Sequence, residues 1–163
     1  MDVGRVRGLR RRPALATALI VLLIFLGISG LFGGGAFIAA PDGHLIRAPE
    51  SWLEDIPFPD FLIPGLFLFF VVGVLSLVSA GALLWRSAWP GLQRIAPFRG
   101  QYWGWTATGL AGLGILIFEI VESVFIGLSW PQMFYGGIGA AIVLLALSRP
   151  VRQFYRVRRL DRS

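Results

Sequence analysis

The first long apolar segment of the chain covers residues 14–40 and reads ALATALIVLLIFLGISGLFGGGAFIAA. It runs for 27 residues without a charged side chain, whereas a helix needs about 20 apolar residues to cross a bilayer. The segment is also roughly twice as long as the apolar core of a cleaved signal peptide. We therefore expect it to be retained as a membrane-spanning helix.

Three more segments have the same character. The predicted spans are residues 14–40, 61–85, 102–130 and 132–148. Membrane β-strands alternate apolar and polar positions, so long continuous apolar runs indicate helices instead. The sequence predicts an all-α fold, an antiparallel four-helix transmembrane bundle that forms one membrane domain over residues 1–163.

The composition agrees with a membrane protein. Of 163 residues, 56% are hydrophobic and 15% are charged, whereas soluble domains are about 25% charged. The chain has no cysteine and a single histidine, His44. Disulfides, thiolate nucleophiles and zinc–thiolate sites are therefore excluded, and one chain cannot supply two histidine ligands to a haem. We expect no cofactor and no metal, and the absence of a nucleophile or nucleotide motif argues against an enzyme.

The arginines predict how the bundle is oriented. Fourteen of the 15 basic residues, all of them Arg, lie before the first span, in the 86–100 loop or in the tail from residue 149. The loop over residues 41–60 carries Arg47 and five acids. Because cytoplasmic loops concentrate Arg, we expect both termini inside, residues 41–60 outside as an outer loop, and location in the cytoplasmic membrane.

The basic tail, residues 149–163, is interpreted as a topology anchor in contact with anionic lipids, which attract juxtamembrane arginines. The net charge of +6 would also fit nucleic-acid binding, but no nucleic-acid-binding motif accompanies it, so none is expected. The anchoring residues are predicted to be Arg149, Arg152, Arg156, Arg158 and Arg159.

Small residues predict how the helices associate, because helices in lipid pack through close backbone approach. Gly30 and Gly34 form a GxxxG pair in the first span, and Gly136 and Ala140 have the same spacing in the fourth. We expect these faces to pack within the bundle. The alternative is that some of them contact a second copy of the chain or another membrane protein.

The outer loop contains a recognisable order of residues. Pro41-Asp42-Gly43 is followed by Trp52-Leu53-Glu54, and then by Phe58-Pro59-Asp60-Phe61-Leu62-Ile63-Pro64-Gly65. This order resembles a family of small four-span bacterial membrane proteins, common in actinobacteria, for which no reaction is assigned. The resemblance implies an architecture rather than an activity. Within the loop, the candidate functional residues are Asp42, His44 and Asp60.

Two acids inside the third predicted span are the most informative residues. Glu119 and Glu122 are three residues apart, so they share one face of the helix. Charged side chains at membrane depth are costly and generally mark function. They could instead hold helices together as hydrogen-bonding groups, with Ser76 and Ser79 as available partners. A proton or cation path and a catalytic or ligand-binding carboxylate pair are further alternatives.

These observations favour a non-enzymatic membrane component that interacts with lipids or with other membrane proteins. The alternative is a transporter-like protein that moves protons, cations or a small solute with the pair Glu119 and Glu122.

Overall fold

A computed structural model of the chain describes residues 12–49, 51–55, 57–86, 89–97 and 100–157. Four apolar helices, each long enough to cross a membrane, pack against one another in an all-α bundle. They are numbered here as the first to fourth spans, in chain order: Ala14–Ala39, Leu62–Trp85, Trp103–Ile126 and Trp130–Leu147. The predicted four-helix fold is therefore confirmed, and the chain is a small polytopic membrane protein.

The bundle has two distinct ends. At one, here the arginine end, the Arg12 guanidinium donates to the Leu84 carbonyl at 2.9 Å, and the Trp105 indole Nε1–H donates to the Ala146 carbonyl at 2.7 Å. At the other, here the loop end, the first and second spans are joined by the segment 40–61. The shorter elements are the 3₁₀ turn His44–Ile46 and the helices Ser51–Asp55, Pro90–Ile95 and Arg149–Phe154.

The boundary between the third and fourth spans differs from the prediction. The third span ends at Ile126, because Gly127 takes a non-helical conformation with φ of +83° and ψ of 163° that only glycine adopts at little cost. The fourth span begins at Trp130 rather than at Gln132, and Ser129 and Gln132 form a capping box at its start. A capping box satisfies amide groups that a helix terminus would otherwise leave unpaired.

The second span is irregular at its centre. It begins at Leu62, where the Asp60 carboxylate accepts from the Leu62 backbone N–H at 2.9 Å. Pro64 lies in the first turn, where its missing N–H has no intrahelical partner to lose. The turns at Leu68–Val74 are π-helical and the α-helix resumes at Leu75.

Glycines bring the first and second spans into backbone contact. A Cβ atom at Gly30 would lie 2.7 Å from the Gly73 nitrogen, and one at Gly34 would lie 2.7 Å from the Gly65 carbonyl oxygen. The GxxxG pair thus packs within the chain, as predicted. Between the third and fourth spans, by contrast, Gly136 leaves room for a Cβ atom.

The contact between the third and fourth spans uses Gly112 and Gly139. A Cβ at Gly139 would lie 2.6 Å from the Ile115 side chain and 3.2 Å from the Gly112 carbonyl oxygen. A Cβ atom at Gly136 would lie 3.8 Å from its nearest neighbour, the Glu119 Cβ, which is ordinary contact. The face of the fourth span that contacts the third therefore contains Gly139 and lies beside the predicted face of Gly136 and Ala140.

The tail folds back beneath the arginine end instead of remaining wholly at the surface. Val151 and Tyr155 are fully buried, and the Tyr155 hydroxyl donates to the Leu83 carbonyl at 3.0 Å. The Arg86 guanidinium lies 4.8 Å from the centre of the Phe154 ring and donates to the Phe154 carbonyl at 2.8 Å. The tail is thereby fixed to the second span.

Candidate functional site

The two acids of the third span lie near the loop end. Glu119 is 7% exposed and Glu122, one turn further along, is half-buried. Gly136 of the fourth span lies at the level of Glu119, and a Cβ atom there would be in ordinary contact with the Glu119 Cβ. The shared helix face predicted for the two carboxyl groups is therefore turned toward the neighbouring helix.

Gln132 completes a polar cluster with these acids. It is 4% exposed, and the Glu122 carboxyl lies within reach of the Glu119 and Gln132 side chains. The Gln132 Oε1 atom accepts from the Ser129 backbone N–H at 3.2 Å and from the Ser129 hydroxyl. Its Nε2 group is therefore left to donate toward Glu122. Sequence reasoning missed Gln132, although its spacing from Ser129 is that of a capping box.

Ser76 and Ser79 do not serve as partners of the acids. Both are fully buried in the second span, and their hydroxyl groups have no hydrogen-bond partner among the residues that the structure describes. The Ser123 hydroxyl instead donates to the Glu119 backbone carbonyl at 2.6 Å, which is a contact within one helix. The Gln132 side chain of the fourth span lies near Glu122.

The polar cluster lines a cavity inside the bundle. Its volume is about 200 Å³, and the lining includes Glu119, Glu122 and Gln132 together with Ser29 and Tyr135. All four spans contribute to its walls. A cavity with carboxyl, amide, phenol and hydroxyl groups can accept and donate several hydrogen bonds to a solute or to water.

A second, apolar crevice meets this cavity. It has a volume of about 230 Å³ and is lined by aromatic, aliphatic and proline side chains, with Glu122 as the one ionisable residue on its wall within the described chain. Glu122 lines both cavities. Glu122 therefore lies where a partly open cavity, largely apolar with a few polar side chains, adjoins an apolar crevice between the second and third spans.

The outer-loop candidates do not join this site. The His44 Nδ1 atom lies 2.6 Å from the Asp42 carboxylate, in an exposed pair. This hydrogen bond lowers the pKa of Asp42 below its usual value, so that carboxyl group remains ionised at neutral pH. The Asp60 carboxylate accepts from the Leu62 N–H just before the second span. Each of these residues thus stabilises local backbone structure.

No group of three His, Asp or Glu side chains placed to hold a metal ion occurs among residues 12–49, 51–55, 57–86, 89–97 and 100–157. The candidate anchors are divided: Arg149, Arg152 and Arg156 are exposed at the arginine end, while Arg158 and Arg159 lie outside the described residues.

Comparisons with known proteins give no relative. No family model, no curated protein and no solved structure matches the chain. The four-span architecture therefore follows from the hydropathy and the helix packing of this chain itself.

Proposed function

We propose that the chain is a non-enzymatic component of a bacterial inner membrane that binds a lipid in the crevice beside Glu122. The observation that supports this is the crevice itself. Its walls are almost entirely apolar, and it lies between the loop-end halves of the second and third spans, beside the loop residues Trp52 and Phe58.

A lipid chain is the occupant that this position favours. Apolar side chains gain nothing from leaving lipid for other apolar side chains, so a crevice in this position is filled by a chain from the bilayer. Rigid aromatic walls, including Phe61 and Phe118, order that chain by close contact. The Glu122 carboxyl offers a hydrogen-bonding partner to a polar group carried by the lipid.

The orientation proposed is N-terminus and C-terminus inside. It is supported by the arginine distribution described above, since the positive-inside rule weighs short loops and tails next to the spans. The loop end would then face outward, and the crevice would open toward the outer leaflet. The motif from Phe58 to Gly65 and the four spans also agree with the actinobacterial four-span family noted above.

Filling the crevice is expected to block lipid binding. Val121 lines the crevice, whereas Val124 lies on the same helix, is 76% exposed and is not part of its wall. Val121→Trp should reduce crosslinking of a phosphatidylcholine with a photoreactive acyl chain to Phe61 and Phe118 severalfold, measured by peptide mapping in nanodiscs. Val124→Trp is the matched control and should leave crosslinking unchanged. Equal labelling in both variants would contradict the proposal.

A second candidate function is transport of protons or cations. The interior cavity lined by Glu119, Glu122 and Gln132 favours it, because ionisable groups that face a cavity within a bundle commonly lie on ion paths. Solute would have to pass from this cavity to the arginine end.

The transport candidate makes a clear prediction for glutamine variants. Glu119→Gln and Glu122→Gln keep the size and hydrogen-bonding capacity of a protonated acid, so both should fold. If the acids carry protons, both should abolish flux into reconstituted vesicles under an imposed pH or cation gradient, while the exposed loop variant Glu54→Gln should not. Wild-type vesicles without such flux would rule out this candidate and leave the lipid-binding proposal intact.

A further inference from the structure

The crevice and the cavity at the loop end share part of their walls. The crevice between the second and third spans has a volume of about 230 Å³, and the cavity between all four spans has one of about 200 Å³. The residues that line both of them are Phe37, Trp52, Phe118 and Glu122. The two spaces therefore meet at a junction, here called the aromatic junction, which is bordered by three aromatic side chains and one acid.

The rings of the aromatic junction are held by neighbouring rings. The centre of the Phe37 ring lies 4.8 Å from that of Phe61. The Phe118 ring stacks on the Phe67 ring with 5.5 Å between their centres. Trp52 is supplied by the short loop helix, which contacts the third span. Two of the three rings are thus positioned by packing and require no ligand to hold them.

The cavity contains acids without a base. Glu119, which is 7% exposed, and the half-buried Glu122 both line it, whereas no Arg or His of the described chain does. A carboxylate removed from water needs a partner of opposite charge. Opposite charges a few Å apart attract each other several times more strongly in such a place than in bulk water. The charge that this cavity accommodates is therefore positive.

The rest of the wall indicates which kind of cation fits. Calcium and magnesium ions take six or more oxygen ligands, but most residues that line the cavity are apolar, including Leu26, Val72 and Ile115. Aromatic rings attract ammonium groups through their negative faces, and quaternary ammonium ions are bound by clusters of such rings. An organic ammonium ion therefore suits these walls better than a metal ion.

The two volumes set the size of the ligand. In another protein an apolar cavity of about 150 Å³ holds one benzene ring. The cavity of about 200 Å³ can therefore hold an alkylammonium group, and the crevice of about 230 Å³ can hold one ring or a short alkyl chain.

We propose that the aromatic junction binds one organic ammonium ion that carries an apolar group. The ammonium group lies against the rings of Phe37, Trp52 and Phe118, and the two acids supply the opposite charge. The apolar group occupies the crevice in place of a lipid chain. This proposal deepens the transport candidate by naming its substrate class, and it rests on the same acids, Glu119 and Glu122.

Equilibrium dialysis of radiolabelled benzyltrimethylammonium against the full chain in a non-ionic detergent tests the acids. Glu122→Gln is expected to weaken binding about tenfold or more, since it removes an opposite charge at contact distance in a partly buried site. Glu54→Gln is the matched control, because Glu54 is an exposed acid of the helix that carries Trp52 and lines neither space. An equal loss in both variants would show diffuse attraction to negative charge and overturn the proposal.

The same assay tests the aromatic wall. Trp52→Leu should weaken binding about fivefold, the scale of one cation–π contact, whereas Trp52→Phe keeps a ring and should retain most of the affinity. Trp130→Leu should leave binding unchanged, because Trp130 is 72% exposed and lines neither space. Wild-type affinity in Trp52→Leu would contradict the placement of the cation at the aromatic junction.

A neutral isostere separates charge from apolar partition. Neopentylbenzene, which has a carbon atom in place of the nitrogen, should displace the labelled cation poorly; displacement as effective as that by unlabelled cation would overturn the proposal. Reconstituted vesicles distinguish this site from transport. Binding without flux of the cation would retain the site and rule out transport, whereas proton flux without cation binding would retain transport and overturn this proposal.

Discussion

Alanine in place of Gly34 is expected to destabilise the bundle by about 3 kcal/mol, the upper part of the range for overpacking a filled interior. The added Cβ would lie 2.7 Å from the Gly65 carbonyl oxygen and would also collide with the backbone nitrogen of Phe69. Both obstacles are main-chain atoms of the second span, so no side chain can rotate to make room. The two helices must move apart and lose the contact that joins them.

The neighbouring Gly33 provides the control. No atom lies within 4 Å of a Cβ built at that position, and alanine favours a helix over glycine by about 1 kcal/mol. Gly33→Ala should therefore be neutral or slightly stabilising. The free energy of unfolding in mixed detergent, measured by circular dichroism, checks both variants. Similar values for Gly33→Ala and Gly34→Ala would show that the first and second spans do not pack through this backbone contact.

Removal of the Tyr155 side chain is expected to cost about 4 kcal/mol, as for other large buried aromatics. Tyr155 is completely buried beneath the arginine end, and its ring stacks 6.2 Å from that of Tyr102. Tyr155→Ala would leave a cavity where the tail meets the second span. The melting temperature should fall, and the tail should become sensitive to protease at Arg152 and Arg156.

Tyr155→Phe separates the hydroxyl from the ring. It removes only the donor to the Leu83 carbonyl, which should cost about 1 kcal/mol. Protection of the tail from protease should persist in this variant. If Tyr155→Ala were as stable and as protected as Tyr155→Phe, the tail would not be part of the core.

The spans could be predicted because hydropathy and length act locally. Residues 14–40 contain no charge, and no arrangement of the rest of the chain would place them in water. The end of the third span was misplaced by four residues, since Gly127 ends the helix by its conformation while the residues after it stay apolar. The hydropathy of Leu128 and Trp130 continues past the point where the helix stops.

Burial within the bundle was harder to predict than the spans. Trp103 and Trp105 lie at a span end, as belt tryptophans do, yet both are 7% exposed, because Trp103 packs on Trp89 and the Trp105 indole donates to the Ala146 carbonyl. In lipid a buried and a lipid-facing position are equally apolar, so the sequence pattern does not separate them. Polar residues within a span distinguish buried from lipid-facing positions better than apolar residues do.

The candidate site illustrates that difference. Glu119 and Glu122 could be identified from their charge alone, because an acid in an apolar run is costly. Their partner could not, because Gln132 follows Pro131 at the start of a span and is indistinguishable there from an interfacial residue. The pairing depends on how the third and fourth spans are rotated about their axes, which is fixed by Gly112 and Gly139.

The π-helical turns at Leu68–Val74 keep one face of the second span in contact with the first span. The first span is met in turn by Gly65, Phe69, Gly73 and Leu77, a series with a period of four. In a regular helix of 3.6 residues per turn, positions four apart drift by about 40°, so twelve residues would carry the series about a third of the way around the axis. The i→i+5 turns contain more residues per turn, so each residue advances by a smaller angle, and the contact series drifts in the opposite direction there. The π-helical turns at the centre of the second span therefore keep its contact residues facing the glycines of the first span.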